Sequence, residues 1–201
     1  MSYAELHCLT NFSFLQGASH PDELVTRAAE LGYSSLAITD VNSLAGVVRA
    51  STATKDHPLH LIIGAEIRPL DGPPVVLWAK HRQGYAKLCR LITIGRRRAP
   101  KGECQLTLDD IAEHASGLLA GVVPPPHGEE FSVAWARRYR DIFGEGAYLL
   151  AELHRGPHDR RRVGWLRQLS LETSLPLVAA GNVLFHDPTR KPLHDVVTAI
   201  R

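Results

Sequence analysis

The most restrictive feature of this chain is an alternation. Short apolar runs trade places with longer segments of helical periodicity, and a polar residue stands where several of the short runs give out. The runs are Ser35-Leu36-Ala37-Ile38-Thr39, His60-Leu61-Ile62-Ile63, Pro74-Val75-Val76-Leu77-Trp78, Leu118-Leu119-Ala120-Gly121-Val122, Ala147 to Leu153 and Pro176 to Ala180. An apolar opening that ends at His7 precedes them. Strands buried on both faces and separated by helices are the pattern of a parallel α/β sheet.

The helical segments carry their own signals. Ser19 can cap a helix with Pro21 in its first turn and Asp22 near the positive end of its dipole. Leu24, Val25, Ala28, Ala29 and Leu31 give that helix an apolar stripe, and Gly32 ends it. A second helix is expected over about Leu44–Thr54. A third carries Tyr85, Leu88, Leu91 and Ile92 on one face, with Arg96-Arg97-Arg98 in the loop after it. Leu108, Ile111 and Ala112 mark a short helix, and Pro124-Pro125-Pro126 an extended loop. Further helices are expected over about Glu130–Phe143, Asp159–Ser174 and Pro192–Ile200. About six strand–helix units with no low-complexity linker argue for one barrel-like domain over residues 1–201.

Composition excludes several classes. A net charge of +2 makes the chain no polycation, so affinity for nucleic acid would come from local patches. Arg96–Arg98 with Lys101, Arg137-Arg138 with Arg140, and Arg160–Arg162 could meet phosphates, an ordinary solvent shell or another protein surface. Cys8, Cys89 and Cys104 show no CxxC pairing and fit a reducing cytoplasm rather than a disulfide framework. No apolar run approaches the length of a membrane span, and the start lacks the pattern of a secretory signal.

His7, Asp40, Glu66, His154 and Asn182 stand at the ends of five different runs, which a parallel barrel would bring to one rim. His, Asp and Glu are a ligand set for zinc, manganese or iron, and grouped cations activate water against phosphate esters. The same residues can equally cap helices or hold loop backbone.

Tyr3 to Cys8, Asn11 to Leu15, Gly17 to Pro21, Leu36 to Asp40, Gly46 to Arg49, Gly64-Ala65-Glu66, Gly84-Tyr85 with Leu88 to Leu91, and Arg190 to Arg201 together resemble a known family. It is the polymerase-and-histidinol-phosphatase (PHP) domain at the amino terminus of bacterial DNA polymerase III alpha subunits, nearest to the error-prone branch. The resemblance implies an α/β fold, a distorted parallel barrel of seven strand–helix units, with part of the last unit open to question here. It also implies a role in DNA replication, DNA repair and translesion synthesis within a nucleotidyltransferase, and a site able to hold up to three metals.

Carried over residue by residue, that site is uneven. His7, Asp40 and Glu66 match the family's ligands. Leu9 stands in place of the second His of the first motif, and Gln16 in place of an Asp. Val41 replaces the His after Asp40, Pro74 a His that opens a strand, and Asn182 with Leu184 the late Asp-x-His pair. Leu, Val and Pro side chains donate no electron pair, and Asn offers only a neutral carbonyl. The resemblance therefore implies a degenerate site, with at most a weakly held zinc or manganese, and a structural or interaction role beside the rest of a polymerase chain and other replication or translesion proteins. The competing readings are a metal-dependent phosphoesterase or 3′–5′ exonuclease using the residual site, and an independent PHP-like protein acting on a non-nucleic substrate. No Asp-x-Asp pair of the polymerase kind is present, and the last helix reaches Arg201 without a stop signal, so the chain reads as the amino-terminal piece of a longer protein.

Overall fold

Pro21 has its φ pre-set for a first helical turn, and Asp22 and Glu23 follow it at the positive end of the dipole. In the computed structural model, which describes residues 3–125 and 131–201, helix α1 accordingly runs Pro21–Glu30. His20, not Ser19, takes the cap position, and its N–H donates to the Glu23 carboxylate at 2.8 Å. Gly32 follows in the left-handed region at φ +70°, where a side chain would be strained. The chain forms two compact units, one made of residues up to Ala65 together with Gly181–Arg201, the other of Glu66–Ala180.

In the first unit, β1 (Ala4–Glu5), β2 (Ser35–Ile38) and β3 (His60–Ile67) pair in parallel, Ala4 opposite Ser35 and Ser35 opposite His60. The last two residues of β3 belong to the second unit. Helix α2 is shorter than its pattern suggests, Val47–Ala53. Leu24, Val25 and Ala28 of α1, Leu36 and Ile38 of β2, and Val47 and Ala50 of α2 close over Cys8 and Leu59 as one apolar core. Each fully buried Leu, Ile or Val there contributes roughly 1.5–3 kcal/mol. Helix α7 (Lys191–Ile200) buries none of its residues.

In the second unit, β4 (Val75–Ala79) and β5 (Leu118–Val122) are antiparallel, Val75 opposite Val122 and Ala79 opposite Leu118. This corrects the expectation of parallel strands throughout. Two helices, α3 (Arg82–Arg98) and α4 (Leu108–His114), separate them. Two helical passes instead of one return the chain to the end where β4 stopped, and Lys80 N–H donates to Gly117 O at 3.0 Å. Gly84 makes that close approach feasible: a Cβ there would lie 2.1 Å from Gly117 O. β6 (Ala147–Glu152) and β7 (Leu177–Ala180) continue in parallel from β5, with α5 (Val133–Phe143) and α6 (Asp159–Thr173) between the strands.

Three further expectations need adjustment. Arg96–Arg98 form the last turn of α3 rather than a loop, where cations complement the carbonyl end of the dipole. β3 extends four residues past Ile63, so Glu66 lies within the strand. Helix α5 starts at Val133 behind a Ser132 cap, whereas Glu130, with Pro126 of the proline run, lies outside the described residues.

Candidate functional site

A carboxylate placed at the end of a buried strand must find donors or stay protonated. Asp40, two residues past β2 and 1% exposed, finds them in the loop after His7. Its Oδ1 accepts from Thr10 N at 2.8 Å, Thr10 Oγ1 at 3.0 Å and Ser13 Oγ at 2.7 Å, and its Oδ2 lies 2.9 Å from Thr10 Oγ1. The Ser13 hydroxyl in turn accepts from Val41 N, and Thr10 Oγ1 from Phe12 N. Burial pushes the Asp40 carboxyl up from the usual carboxylate range, and the bonds from Ser13 and Thr10 offset some of the rise.

Glu5 has the same role on the neighbouring strand. It is 2% exposed; Oε1 accepts from His7 N at 2.9 Å and Gly181 N at 2.8 Å, and Oε2 from the Tyr3 hydroxyl at 3.0 Å. Burial, then the Glu5 charge, pushes the Tyr3 hydroxyl above its ordinary range. The buried Cys8 thiol is also pushed up, by burial first and then by the Glu5 and Asp40 carboxylates, which keeps it protonated and unsuited to nucleophilic attack.

Backbone bonds gather these strand ends. Thr39 N donates to Cys8 O at 2.9 Å, Val183 N to His7 O at 2.9 Å and Leu9 N to Val183 O at 2.9 Å. The residues flanking His7, Asp40 and Asn182 therefore run side by side within the first unit. His7 is buried and Asn182 half-buried, the latter in the left-handed region at φ +47°. Among the positions expected to have lost ligands, Leu9 is buried, while Gln16, Val41 and Leu184 are half-buried, and Leu184 O accepts from Ala18 N.

The second unit holds the other expected residues. Glu66 is buried, and Arg68 Nε donates to its Oε1 at 2.6 Å. Pro74 is half-buried and accepts from Val123 N through its carbonyl. His154 is exposed. His186, in the first unit, is tied down: Ser19 Oγ lies 2.7 Å from its Nδ1 and accepts from its backbone N–H at 2.9 Å, and Glu23 lies 3.8 Å away. That is the role Ser19 fills in place of capping α1.

Glu5, Thr10 and Ser13, none of them among the expected ligands, also belong to this site. Glu5 had one legible signal. It stands two residues before His7, a charge in an otherwise apolar opening. Among the described residues, no three His, Cys, Asp or Glu side chains come together as a group able to hold a metal ion. The donors around Asp40 satisfy it as a loop anchor.

Known proteins bear on this arrangement at two levels. Error-prone DNA polymerases match essentially the whole chain, at 49% identity in Rhodopirellula baltica, 52% in Aromatoleum aromaticum and 50% in Pseudomonas aeruginosa, with 99–100% of this chain covered. The chain spans only 18–19% of those proteins, so its relatives continue far beyond the matched region. Among solved structures, a protein assigned as a metal-dependent phosphoesterase from Bifidobacterium adolescentis superposes with a TM-score of 0.66 at 16% identity, over 92% of this chain and 88% of its own. A lesion-specific endonuclease from Pyrococcus furiosus gives 0.60 at 12% identity, over 98% of this chain and 56% of its own. At such identities these likenesses speak for the fold alone, and the fold they share is the α/β type expected from the alternation of elements. The PHP domain model matches residues 5–155, a stretch that contains Glu5, His7, Asp40, Glu66 and Glu152, and on that match the chain belongs to the PHP domain family.

Proposed function

We propose that residues 1–201 form the PHP domain of an error-prone DNA polymerase III alpha-like protein acting in DNA repair, replication and translesion synthesis. In this reading the domain serves as a scaffold and interaction surface, not as a hydrolase. The observation that carries it is the engagement of Asp40. Its carboxylate is committed to Thr10 and Ser13 of the adjoining loop, while Leu9 lies buried beside that loop in a slot where the family places a His. His7, Asp40 and Glu66 are the remaining candidate ligands, enough for at most one weakly held zinc or manganese ion. Catalysis by paired cations needs two of them about 3.5–4 Å apart, each with its own ligands.

The partner in this reading is the remainder of the polymerase chain, in keeping with the small share of the relatives that the match covers. Apolar side chains left in solvent favour such a role: Leu193, Val196 and Ile200 line one face of α7, and Phe14 is 80% exposed. The cytoplasm suits the free cysteines.

The test is release of phosphate from esters and of nucleotide from DNA 3′ ends by the purified chain with manganese and with zinc, beside a His7→Ala variant. The expected result is no turnover above the variant. Metal-dependent turnover that disappears with His7 would overturn the scaffold reading in favour of a phosphoesterase or 3′–5′ exonuclease.

A further inference from the structure

The arginines of this chain are unevenly placed. Residues 131–168 hold eight arginines and no lysine against four acidic residues, in a chain whose net charge is only +2. The concentration is highest between Leu153 and Arg167, where Arg155, Arg160, Arg161, Arg162 and Arg167 face a single carboxylate, Asp159. Three of these arginines fall in the first turn of α6, where the helix dipole already presents positive charge and cations are disfavoured. An arrangement that works against its own helix is relieved by an anion.

One arginine of the set is structural. Arg162 donates through Nε to Glu152 O at 3.1 Å, and through its Nη atoms to Pro125 O at 2.6 Å and Pro124 O at 3.0 Å. It thereby clamps the start of α6 to the segments that leave β5 and β6. The other four, Arg155, Arg160, Arg161 and Arg167, are exposed. None of them enters an ion pair among the described residues, whereas Arg98 is paired with Asp110 and Arg138 with Asp109. Four exposed arginines without an ion pair among the described residues thus stand beside a fifth that holds the backbone at the start of α6.

We infer that the face formed by Arg155, Arg160, Arg161 and Arg167 binds the phosphate backbone of DNA directly. Arginine's planar fork matches a phosphate's oxygens in a way that lysine's point charge does not, and every cation of this patch is arginine. The spacing also suits a polyanion. Arg160 and Arg167 lie two turns apart on one face of α6, a span of about 10 Å at 1.5 Å per residue. A DNA strand presents about three phosphates over that length. Contacts of this kind carry no base specificity. The inference goes beyond the scaffold reading and does not depend on it, because phosphate binding here uses none of the residues near Asp40.

The test is fluorescence anisotropy of a labelled DNA oligonucleotide, single-stranded in one series and duplex in another, titrated with the 201-residue chain across a range of salt concentrations. Four contacts predict log K against log salt with a slope of about −3 to −4. Replacing Arg155, Arg160, Arg161 and Arg167 with Gln should weaken binding by about tenfold or more at low salt and flatten that slope. The pairwise variant Arg160→Gln with Arg161→Gln should remove about half of it, so the reading does not hang on the fourfold variant alone. A charge-matched control replaces the exposed Arg82, Arg90, Arg97 and Lys101 with Gln and should bind like the parent. Equal loss in the control would show that binding follows net charge and would overturn the assignment. So would the absence of salt-dependent binding by the parent, or binding to anionic phosphatidylserine vesicles with none to DNA.

Discussion

Thr10 holds Asp40 with both its backbone and its side chain: Thr10 N lies 2.8 Å from Oδ1, and Thr10 Oγ1 lies 3.0 Å from Oδ1 and 2.9 Å from Oδ2. Thr10→Val keeps the backbone bond and removes the hydroxyl from a buried carboxylate, at an expected cost of about 1–3 kcal/mol. Gly46→Ala should crowd the same pair, because a Cβ there would lie 2.5 Å from Asp40 Oδ2 and 3.0 Å from Thr10 Oγ1. Urea unfolding checks both, and a parent-like midpoint for Thr10→Val would show that the network carries no stability.

Asp40 also predicts a pH effect with a definite sign. Burial raises its folded-state pKa above the unfolded value. Its contribution to stability is then fully present below the unfolded pKa and is lost as pH rises through the folded one. Asp40→Asn does not titrate. The parent's advantage over that variant should therefore shrink as pH rises from the ordinary carboxylate range through the raised folded-state pKa, read as the difference of two urea-unfolding series.

Asp110 should behave oppositely. Burial raises its pKa, yet the bonds from Arg98 and Thr107 outweigh that effect and hold the carboxyl below its usual range. Its Oδ2 accepts from Arg98 at 2.6 Å and caps α4 through Thr107 N at 2.9 Å. Asp110→Asn should cost about 0.5–2 kcal/mol near neutral pH, as for loss of a helix cap. Because the folded pKa is depressed, that cost should fade as pH drops through and below the ordinary carboxylate range. Thermal melts at several pH values measure it.

Glu5 offers a test of how the first unit is tied together. Glu5→Ala leaves the N–H groups of His7 and Gly181 without their acceptor and should cost about 1–3 kcal/mol for each group left unpaired and buried. Gly181→Ala should also destabilise, since its Cβ would come within 2.5 Å of Glu5 Oε2. Native-state hydrogen exchange at residues 181–184 is the direct readout, and unchanged protection there in Glu5→Ala would refute the tie.

Restoring family-type histidines should be costly at one position and mild at the other. Leu9 is 2% exposed, so Leu9→His buries a polar ring with no assured partner, at about 1–3 kcal/mol. Val41 is half-buried, and Val41→His leaves the ring access to solvent. Melting the two variants separately in a chelator checks the ranking.

Much of the architecture was legible along the chain. Among the described residues, β2 to β7 each coincide with an apolar run, and most helices with a period and turn residues, because these are local properties of residues that must bury one face or two. The antiparallel pairing of β4 and β5 was not legible. An apolar run reports burial but not direction, and direction here depends on whether α4 packs as a second helical pass before β5. Helix α7 shows the same limit from the other side: its apolar spacing is plain in the sequence, yet the fold leaves Leu193, Val196 and Ile200 in solvent.

The candidate site divides along the same line. The sequence by itself determined which groups stand near the strand ends: His7, Asp40 and Glu66 as potential donors, and Leu9, Val41, Pro74 and Leu184 as residues whose side chains cannot donate. What each carboxylate does depends on contacts between distant parts of the chain. Thr10 and Ser13 are about thirty residues from Asp40 along the chain, and Gly181 is 176 from Glu5, so no local pattern could pair them. A buried carboxylate takes whatever donors the packed backbone brings within reach. In this fold those donors came from the loop after His7 for Asp40, and from His7 and Gly181 for Glu5.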